Sequence, residues 1–188
     1  MKTLSILICS LENRKELLVK LLRELRGQTH LYKVTCCVEL IVETDDGTMS
    51  TGAKRNLLLQ RATGDYICFV DDDDMVSGDY IEKIMVAINE KSEPDCCSLQ
   101  GEIHFSKGKL KGQTRIFKHS ILYNSWYTTK DNVHHRCPNH LNVVKRELAL
   151  QVKFPEKDIG EDKDYSMRLF DLLKTEEQIH GTIYYYRA

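Results

Sequence analysis

The sequence lacks three features that would place it in a special class: a long apolar run, an excess of one charge and low-complexity segments. Its apolar runs are well short of the roughly 18 to 20 residues that a membrane-spanning helix needs. The 27 lysines and arginines nearly balance 28 aspartates and glutamates, which excludes a uniformly basic nucleic-acid coat and a polybasic membrane anchor. With 188 residues, 41% of them apolar, and no repeat or linker, the chain predicts a single soluble domain over residues 1–188.

The first apolar run and the cysteines both favour a cytoplasmic protein. The run that follows Met1 is short, is interrupted by Ser5 and lacks an Ala-x-Ala-like cleavage site, so it predicts a core strand rather than a signal peptide. Seven cysteines are an odd number, and we interpret them as reduced thiols. We therefore expect the cytoplasm, which would be the host cytoplasm for a viral protein.

Hydrophobic periodicity predicts strands that alternate with helices up to Pro94. Strands are predicted at 3–9, 34–43 and 66–70, and helices at 13–26, 52–62 and 77–89, with Gly27 ending the first helix and Ser77 capping the third. This order predicts an α/β fold with a mostly parallel central sheet and helices on both faces. Beyond Pro94 the pattern predicts an extension of the same sheet, with strands within 95–117, a helix over 160–174 and a last strand over 179–186.

Four aspartates, Asp71 to Asp74, directly follow the apolar strand Tyr66–Val70. Open parallel sheets bind ligands at the carboxyl ends of their strands, which is where this cluster lies. Asp71 and Asp73 would project the same way if the strand geometry persists, and their oxygens suit Mg²⁺ or Mn²⁺. The alternative is a solvated acidic turn that caps the next helix.

The polar loop over 44–51 leads into a helix and nearly matches a phosphate-binding P-loop. The spacing of its glycines fits, but Ala53 occupies the position where the motif needs lysine. Lys54 is rotated by about 100° around the helix from that position, which argues against a true P-loop. We still expect Lys54, Arg55 and the helix N-terminal amides to offer a site for a nucleotide or its phosphates.

A third acidic segment, Gly160-Glu161-Asp162, opens the helix predicted over 160–174. The helix dipole stabilises the charged form of a carboxylate in the first turn, and a charged carboxylate can accept a proton. The alternative is a plain helix cap, which is the common role of acidic residues at helix starts.

Together these segments resemble the family 2 glycosyltransferases of the GT-A fold. The resemblance spans most of the chain and is most specific in Ala62-Thr63-Gly64-Asp65-Tyr66, which leads into the aspartates. The small size and the segments Cys-Pro-Asn-His and Glu-Asp-Lys-Asp-Tyr-Ser are similar to small bacteriophage-encoded glycosyltransferases, some of which glycosylate hydroxymethylated bases in DNA. The resemblance implies a nucleotide-sugar-binding half over 1–94 and an acceptor-binding half over 95–188.

The resemblance also implies roles for individual residues. Asp71 would contact the ribose, Asp73 would hold Mn²⁺ or Mg²⁺, and Asp162 would be the catalytic general base. The residues expected to contact the nucleoside diphosphate sugar are Ser10, Asp46, Lys54, Arg55, Asp71 and Asp72.

The implied reaction is the inverting transfer of a sugar from a nucleoside diphosphate sugar to an acceptor hydroxyl. A UDP-sugar is the expected donor. A cation neutralises the leaving diphosphate, and a base takes the proton of the hydroxyl as its oxygen attacks the anomeric carbon. A non-catalytic module that binds nucleotide sugars or nucleic acid is the alternative from another class. A phosphate-transferring protein is a third, which the broken P-loop spacing disfavours.

The segment between Glu102 and Asp131 contains no acidic residue. Its lysines and arginines alternate with aromatic residues, a composition that suits phosphates and unstacked bases. The alternative is a solvated hairpin face whose aromatic side chains lie in the core. The acceptor would be a hydroxymethylated base in phage DNA or a cell-surface carbohydrate, and the residues expected to contact it are Lys107, Lys109, Arg115, Trp126 and His140.

Two histidine-containing segments raise the question of further metal ligands. Cys137-x-x-His140 has no second ligand pair at zinc-site spacing, so we interpret it as a turn beside the acceptor site. His180 falls in the predicted last strand and is interpreted as a structural histidine, with metal ligation as the alternative.

Overall fold

The computed structural model describes residues 1–34 and 36–188, and this part of the chain forms two mixed β-sheets and five α-helices. The helices are α1 (Lys15–Leu31), α2 (Thr51–Arg61), α3 (Tyr80–Ile88), α4 (Arg146–Ala149) and α5 (Glu161–Phe170), with 3₁₀ turns at Glu12–Arg14 and Gly108–Leu110. The strands are β1 (Leu4–Leu11), β2 (Val38–Asp45), β3 (Tyr66–Phe69), β4 (Met75–Val76), β5 (Cys96–Cys97), β6 (Leu99–His104), β7 (Thr114–His119), β8 (Tyr127–Thr128), β9 (His134–Arg136), β10 (Val144–Lys145), β11 (Glu176–Glu177) and β12 (Tyr184–Arg187).

The central sheet has the strand order β11-β5-β10-β3-β1-β2. Strand β1 runs parallel to β2 and β3, and β5 runs parallel to β11, whereas β10 is antiparallel to both of its neighbours. The predicted α/β fold with a mostly parallel central sheet is therefore confirmed, and β10 makes the sheet mixed. The carboxyl ends of β1 and β3 meet at one edge, because parallel strands end on the same side.

Strand β1 shows how the central sheet holds helices on both faces. Successive side chains of a strand point to opposite faces. Leu4, Ile6 and Ile8 are fully buried in the apolar cluster that contains α1 and α3, whereas Leu7 is buried in the cluster that contains α2 and α5. Each such buried side chain contributes roughly 1.5–3 kcal/mol to folding. The prediction of helices on both faces is confirmed.

The second sheet, with the order β4-β12-β6-β7-β9-β8, corrects the expectation that the chain beyond Pro94 only extends the central sheet. Strand β6 buries Leu99, Gly101 and Ile103 and leaves the alternate positions more exposed. This one-sided pattern is typical of a sheet with one solvated face. Both halves of the chain contribute to both sheets, since β4 joins the second sheet and β5, β10 and β11 join the first.

Helix α1 continues past Gly27, where the sequence predicts its end. The reason is the buried side chain of Gln28, in the turn that follows. Its amide nitrogen donates to the carbonyl oxygen of Ser77 at 2.8 Å, and its amide oxygen accepts from the backbone N–H of Ile81 at 3.0 Å. These tertiary bonds tie the added turn to the start of α3 and outweigh the helix-ending tendency of glycine.

Three other predicted boundaries differ from the structure. Helix α3 begins at Tyr80, because the Ser77 hydroxyl bonds to the Asp79 carboxylate instead of capping the helix. Strand β12 begins at Tyr184, which leaves His180 exposed in the preceding loop rather than in a strand. The strand predicted over 34–43 begins at Val38, and Thr35 lies outside the described residues.

The structure also bears on the membrane and cysteine expectations. None of the helices within residues 1–34 and 36–188 combines the length and the hydropathy that a membrane crossing requires. All seven cysteines carry free thiols, and four of them are buried. The cytoplasmic location stays a prediction.

Buried His119 makes the stability of the fold depend on pH. Burial, with the charge of Arg136 acting in the same direction, lowers the pKa of His119 to about 3. An unfolded histidine titrates near pH 6.5, so below that pH the unfolded chain binds a proton that the folded chain does not. We expect this group to lower the free energy of unfolding by about 2 kcal/mol between pH 7 and pH 5. Urea unfolding at both pH values should show a smaller difference for His119→Phe.

The matched control for this experiment is the exposed His180. His180→Gln should retain the full difference in the free energy of unfolding between the two pH values. If His119→Phe also retained it, His119 would be titrating normally in the folded protein.

Candidate functional site

Two cavities lie side by side at the carboxyl ends of β1 and β3. The first, which we term the aspartate cavity, has a volume of about 450 Å³, and its lining includes Ser10, Arg14, Lys54, Asp72 and Asp73. The second, the tryptophan cavity, has a volume of about 350 Å³, and its lining includes Trp126, Arg136, His140, Asp162 and Tyr186. Four residues line both cavities and form a shared wall: Arg55, Asp71, Asp158 and Glu161.

Arg55 is the centre of the shared wall. Its guanidinium is almost fully buried and donates from Nη1 to Glu161 Oε1 at 2.6 Å and from Nη2 to Asp71 Oδ1 at 3.1 Å. The guanidinium also lies over the rings of Phe69 and Phe154, at 5.8 and 5.6 Å from their centroids. A buried cation with two carboxylate partners and two aromatic faces is held in one orientation.

Asp71 in the shared wall and His140 in the tryptophan cavity differ in charge state. Burial alone would raise the pKa of the Asp71 carboxyl, but the charge of Arg55 and the hydrogen bonds from His140 and Arg55 together outweigh it and lower that pKa below its ordinary value. Burial and Arg55 lower the pKa of His140, whose Nε2 lies 3.5 Å from Asp71 Oδ2. At neutral pH an ionised carboxylate in the shared wall therefore lies beside an uncharged imidazole of the tryptophan cavity.

Asp72 and Asp73 are held by Arg14 and Ser10. The Ser10 hydroxyl donates to Asp72 Oδ2 at 2.7 Å, and Arg14 Nη1 lies 3.0 Å from Asp72 Oδ1 and 3.1 Å from Asp73 Oδ2. The Asp72 side chain is buried, whereas that of Asp73 is 37% exposed. Partial burial raises the pKa of Asp73, while Arg14 opposes this change. Of these two carboxylates, Asp73 is the one with room for a ligand.

Asp74 points away from both cavities. Its carboxylate accepts from the Tyr184 hydroxyl and from the backbone N–H of Arg187, each at 2.8 Å. The Tyr184 hydroxyl in turn accepts from the backbone N–H of Asp71 at 3.1 Å. Burial, with the charge of Asp71 acting in the same direction, raises the pKa of Asp74 to about 8. Asp74 thus fastens the turn formed by Asp71 to Asp74, which we term the aspartate turn, to strand β12.

The tryptophan cavity combines a carboxylate, a cation and an indole ring. Asp162 lies in the first turn of α5, which begins after Gly160, a residue in the left-handed conformation with φ of 75°. The Trp126 indole donates to the Ser166 hydroxyl at 3.2 Å, and the Arg136 guanidinium lies 4.4 Å from the centroid of the Trp126 ring. A carboxylate at a helix start can accept a proton beside a bound molecule.

The sequence model of Glycosyl transferase family 2 matches residues 40–149, which is more than half of the 188 residues. The chain belongs to this family. The match includes the aspartate turn, the shared-wall residues Arg55 and Asp71, and the cavity residues Trp126, Arg136 and His140, so the geometry described above lies mainly inside the family region. No curated protein matches the sequence.

This family 2 chain is also similar in fold to crystal structures of TarS from S. aureus. It matches TarS 1–349 with a TM-score of 0.63, the complex with UDP-GlcNAc with 0.65 and the complex with UDP with 0.64, at 16% identity in each case. The matches cover 98–99% of this chain, and it spans 58–60% of the length of those structures. At this identity the likeness concerns the fold.

In this family 2 chain Lys54 lines the aspartate cavity and is also bonded within the chain. It is buried, forms an ion pair with Asp45 and donates to the carbonyl oxygen of Ser10 at 3.0 Å. Asp46 is exposed, accepts from the backbone N–H of Thr48 at 3.2 Å and is not among the residues that line the aspartate cavity. Of the Asp45-Asp46 pair, Asp45 is thus the carboxylate that contacts Lys54.

The amides at the start of α2, expected to bind phosphates, are already bonded within the chain. Thr51 N–H donates to Asp158 Oδ1 at 2.9 Å, and Gly52 N–H donates to the Lys157 carbonyl at 3.1 Å. A Cβ at Gly52 would lie 1.9 Å from the Pro155 carbonyl oxygen, so only glycine permits this contact. The expected amide site is thus filled by the loop that leads to Asp162.

The five residues expected on the acceptor side separate into two groups. Trp126 and His140 line the tryptophan cavity, but Lys107, Lys109 and Arg115 do not. Both lysines are exposed around the 3₁₀ turn, and the Arg115 guanidinium lies 5.5 Å from the ring centroid of Phe105. The alternation of basic and aromatic residues thus does not translate into one basic surface at the cavity.

The Mn²⁺ or Mg²⁺ that the resemblance implies would have to be held by side chains near Asp73. Within the described residues, no three His, Cys, Asp or Glu side chains converge as a cation site. His180 lines a separate cavity with Ser120 and Tyr123, and Cys137 contacts Ser166 while His140 faces Asp71. Mg²⁺ commonly takes one or two carboxylates together with substrate phosphates and water. Asp73, half-exposed at the aspartate cavity, fits that mode of binding.

Arg14, Glu161 and Arg136 are the site residues that the sequence did not single out for a role. Glu161 was recognised only as part of the segment that contains Asp162, although it is the Nη1 partner of Arg55. Arg14 follows the first strand by three residues, and Arg136 lies among histidines that drew attention to metals instead. For Arg14, its position just beyond a strand that ends at the site was the available signal.

Proposed function

We propose that the protein transfers a sugar from a nucleoside diphosphate sugar, with UDP as the expected nucleotide, to an acceptor hydroxyl with inversion at the anomeric carbon. The observation that carries this proposal is the pair of adjacent cavities that share Arg55 and Asp71. Family membership supports glycosyl transfer, and TarS, whose fold is similar, has been crystallised with UDP-GlcNAc and with UDP.

The aspartate cavity is the proposed donor site. Asp71, ionised and oriented by Arg55, would accept hydrogen bonds from the ribose hydroxyls, with Ser10 and Asp72 lining the same cavity. Arg14 neutralises Asp72 and Asp73 and so reduces the repulsion between adjacent carboxylates. Mn²⁺ or Mg²⁺ held by Asp73 would supply the positive charge that neutralises the leaving diphosphate.

The tryptophan cavity is the proposed acceptor site. Asp162 would take the proton of the acceptor hydroxyl while the hydroxyl oxygen forms a bond to the anomeric carbon and the bond to the diphosphate oxygen breaks. The diphosphate leaves with the bonding electron pair, and because the acceptor oxygen itself displaces it, no covalent sugar-enzyme intermediate would be formed. His140, uncharged and buried, would hold Asp71 between the two cavities.

Thermal unfolding with UDP, GDP and CDP, each with and without Mn²⁺, tests the donor site. We expect one nucleotide to stabilise the protein when Mn²⁺ is present, by about 2.7 kcal/mol at a hundredfold excess over Kd, or roughly 5–10 °C in Tm. Asp73→Asn should lose the Mn²⁺-dependent part of the shift, because the amide is a weaker cation ligand. The control Asp46→Asn, outside the cavity, should retain it.

The same assay separates the alternatives. The absence of a shift with every nucleotide would contradict a donor site, and an Mn²⁺-dependent shift retained in Asp73→Asn would contradict the metal assignment. A binding module without turnover would show the shift but would release no UDP from UDP-sugars.

A hydroxymethylated base in phage DNA and a cell-surface carbohydrate stay the predicted acceptors. The exposed basic residues expected to hold DNA, Lys107 and Lys109, lie outside the tryptophan cavity. The cavity itself offers Trp126, whose ring can stack on a base or on a sugar face. The chemistry of the acceptor is therefore best inferred from the groups that line this cavity.

A further inference from the structure

Arg136 is a cation in the tryptophan cavity that forms no ion pair with the described residues, although the charge of Asp162, which lines the same cavity, opposes the lowering of its pKa by burial. It lies at the end of β9 and is half-buried. Its guanidinium forms neither an ion pair nor a side-chain hydrogen bond with any residue in 1–34 or 36–188. A desolvated charge is costly unless it is paired, so a guanidinium left in this state has its hydrogen-bond donors available for a ligand.

The contrast with the other cations of the site is clear. Lys54 is paired with Asp45, Arg55 with two carboxylates, and Arg14 with Asp72 and Asp73. The charge of each of these cations is therefore balanced by carboxylates of the protein itself. Arg136 lines only the tryptophan cavity, so its charge faces the proposed acceptor and not the proposed donor site.

The surroundings of Arg136 orient its planar group. The guanidinium lies 4.4 Å from the centroid of the Trp126 ring, and that ring is fixed in turn by its bond to the Ser166 hydroxyl. Stacking on an aromatic face leaves the edge of the guanidinium, with its fork of N–H groups, free to bind two oxygens of one anion. The apolar side chains of Ile103 and Phe117 in the cavity wall lower the local dielectric and strengthen such a pair.

We propose that Arg136, stacked on Trp126, binds an oxyanion that the acceptor carries near its reacting hydroxyl, either a phosphate or a carboxylate. This inference rests on the proposed function, because Asp162 lines the same cavity and would receive the proton of that hydroxyl. The acceptor would thus be recognised at two points, by its anion at Arg136 and by its hydroxyl at Asp162. Arg136 is in this view a specificity-determining residue.

The chain contains one tryptophan, so its fluorescence reports directly on this cavity. Trp126 emission would be followed at constant ionic strength while inorganic phosphate, acetate, glucose 6-phosphate, glucuronate or glucose is added. The anionic probes should change the emission and glucose should not. The class of probe that changes the emission at the lower concentration, phosphate or carboxylate, identifies the oxyanion that the acceptor carries.

The variants Arg136→Ala and Arg115→Ala make a matched pair. Loss of a bond to a charged group reduces affinity by about 10- to 100-fold, so Arg136→Ala should lose the response to the anions. Arg115, which lies over Phe105 outside the cavity, should be dispensable. An equal response in Arg136→Ala, or no response of the wild-type protein to any anion, would overturn the proposal.

The nucleotide-dependent thermal shift distinguishes this inference from the proposed function. Arg136→Ala should retain the shift with UDP and Mn²⁺, and loss of the shift would mean that Arg136 serves the donor instead. A response of Trp126 to anions without stabilisation by any nucleotide would support the oxyanion site and contradict the proposed function.

Discussion

Asp162→Asn is expected to reduce sugar transfer by about 10²- to 10⁴-fold, because an amide cannot accept the proton of the acceptor hydroxyl. The substitution keeps the size of the side chain and the oxygen that accepts from the backbone N–H of Lys163 at 2.7 Å. Nucleotide binding should therefore persist. Rates of UDP release with acceptor present, set beside the UDP-dependent thermal shift of the same variant, measure the two properties separately.

Asp164→Asn is the control for this change. Asp164 lies two positions further along the same helix, is exposed and is bonded to Arg168 one turn later. Its replacement should leave the transfer rate unchanged. If Asp162→Asn lost the nucleotide-dependent shift as fully as it lost activity, Asp162 would be part of the donor site and not the base.

Arg55→Met is expected to lower the free energy of unfolding by about 3–5 kcal/mol. The methionine fills much of the space between Phe69 and Phe154, but it leaves the carboxylates of Asp71 and Glu161 without their buried cation. An uncompensated buried charge is the costly consequence of breaking such a pair. Urea unfolding at pH 7 measures the loss.

Arg61→Ala provides the comparison, since Arg61 forms a solvent-exposed pair with Glu43 and its loss should cost about 0–1 kcal/mol. The double variant Arg55→Met, Glu161→Gln should recover part of the loss, because the glutamine carries no charge. A loss below 1 kcal/mol in Arg55→Met would mean that water or rearrangement already compensates both carboxylates.

The parts of the fold that follow from local pattern were predictable from sequence. Strand β3 is a continuous apolar run, and β1 is apolar apart from Ser5 and Ser10. Helix α1 carries its leucines at helical spacing, and the polar residues after β3 must lie at the carboxyl edge of a parallel sheet. These rules use only the residue spacing that helices and strands require and the common direction of parallel strands. They suffice to place Asp71 and Asp73 in the candidate site.

The partners of individual side chains were not predictable, because they depend on segments that are distant in sequence. In the sequence, Asp71 to Asp74 are four equal carboxylates. In the structure, one bonds to Arg55, two share Arg14, and Asp74 is buried against Tyr184. Nothing in the local pattern of the turn distinguishes these environments.

The second sheet escaped prediction for a related reason. Strands β4, β8, β9 and β12 have two to four residues, too few for periodicity to emerge, and β4 and β12, which pair with each other, lie at distant positions in the chain. The composition of the basic segment between 102 and 131 likewise does not predict which of its side chains point into the site. Only the fold decides that Trp126 enters the cavity and that Lys107 does not.

The bonds of Asp74 and Asp71 to β12 also impose an order on the biosynthesis of the site. The partners of the aspartate turn, Tyr184 and Arg187, come 110 and 113 positions after Asp74. A nascent chain can form β1, β2 and β3 on emerging from the ribosome, but its aspartate turn stays unfastened until translation has passed Arg187. Contacts of such long sequence separation are slow to form. The β1-β2-β3 part of the central sheet can therefore form before the turn that is proposed to hold the nucleotide sugar is fastened.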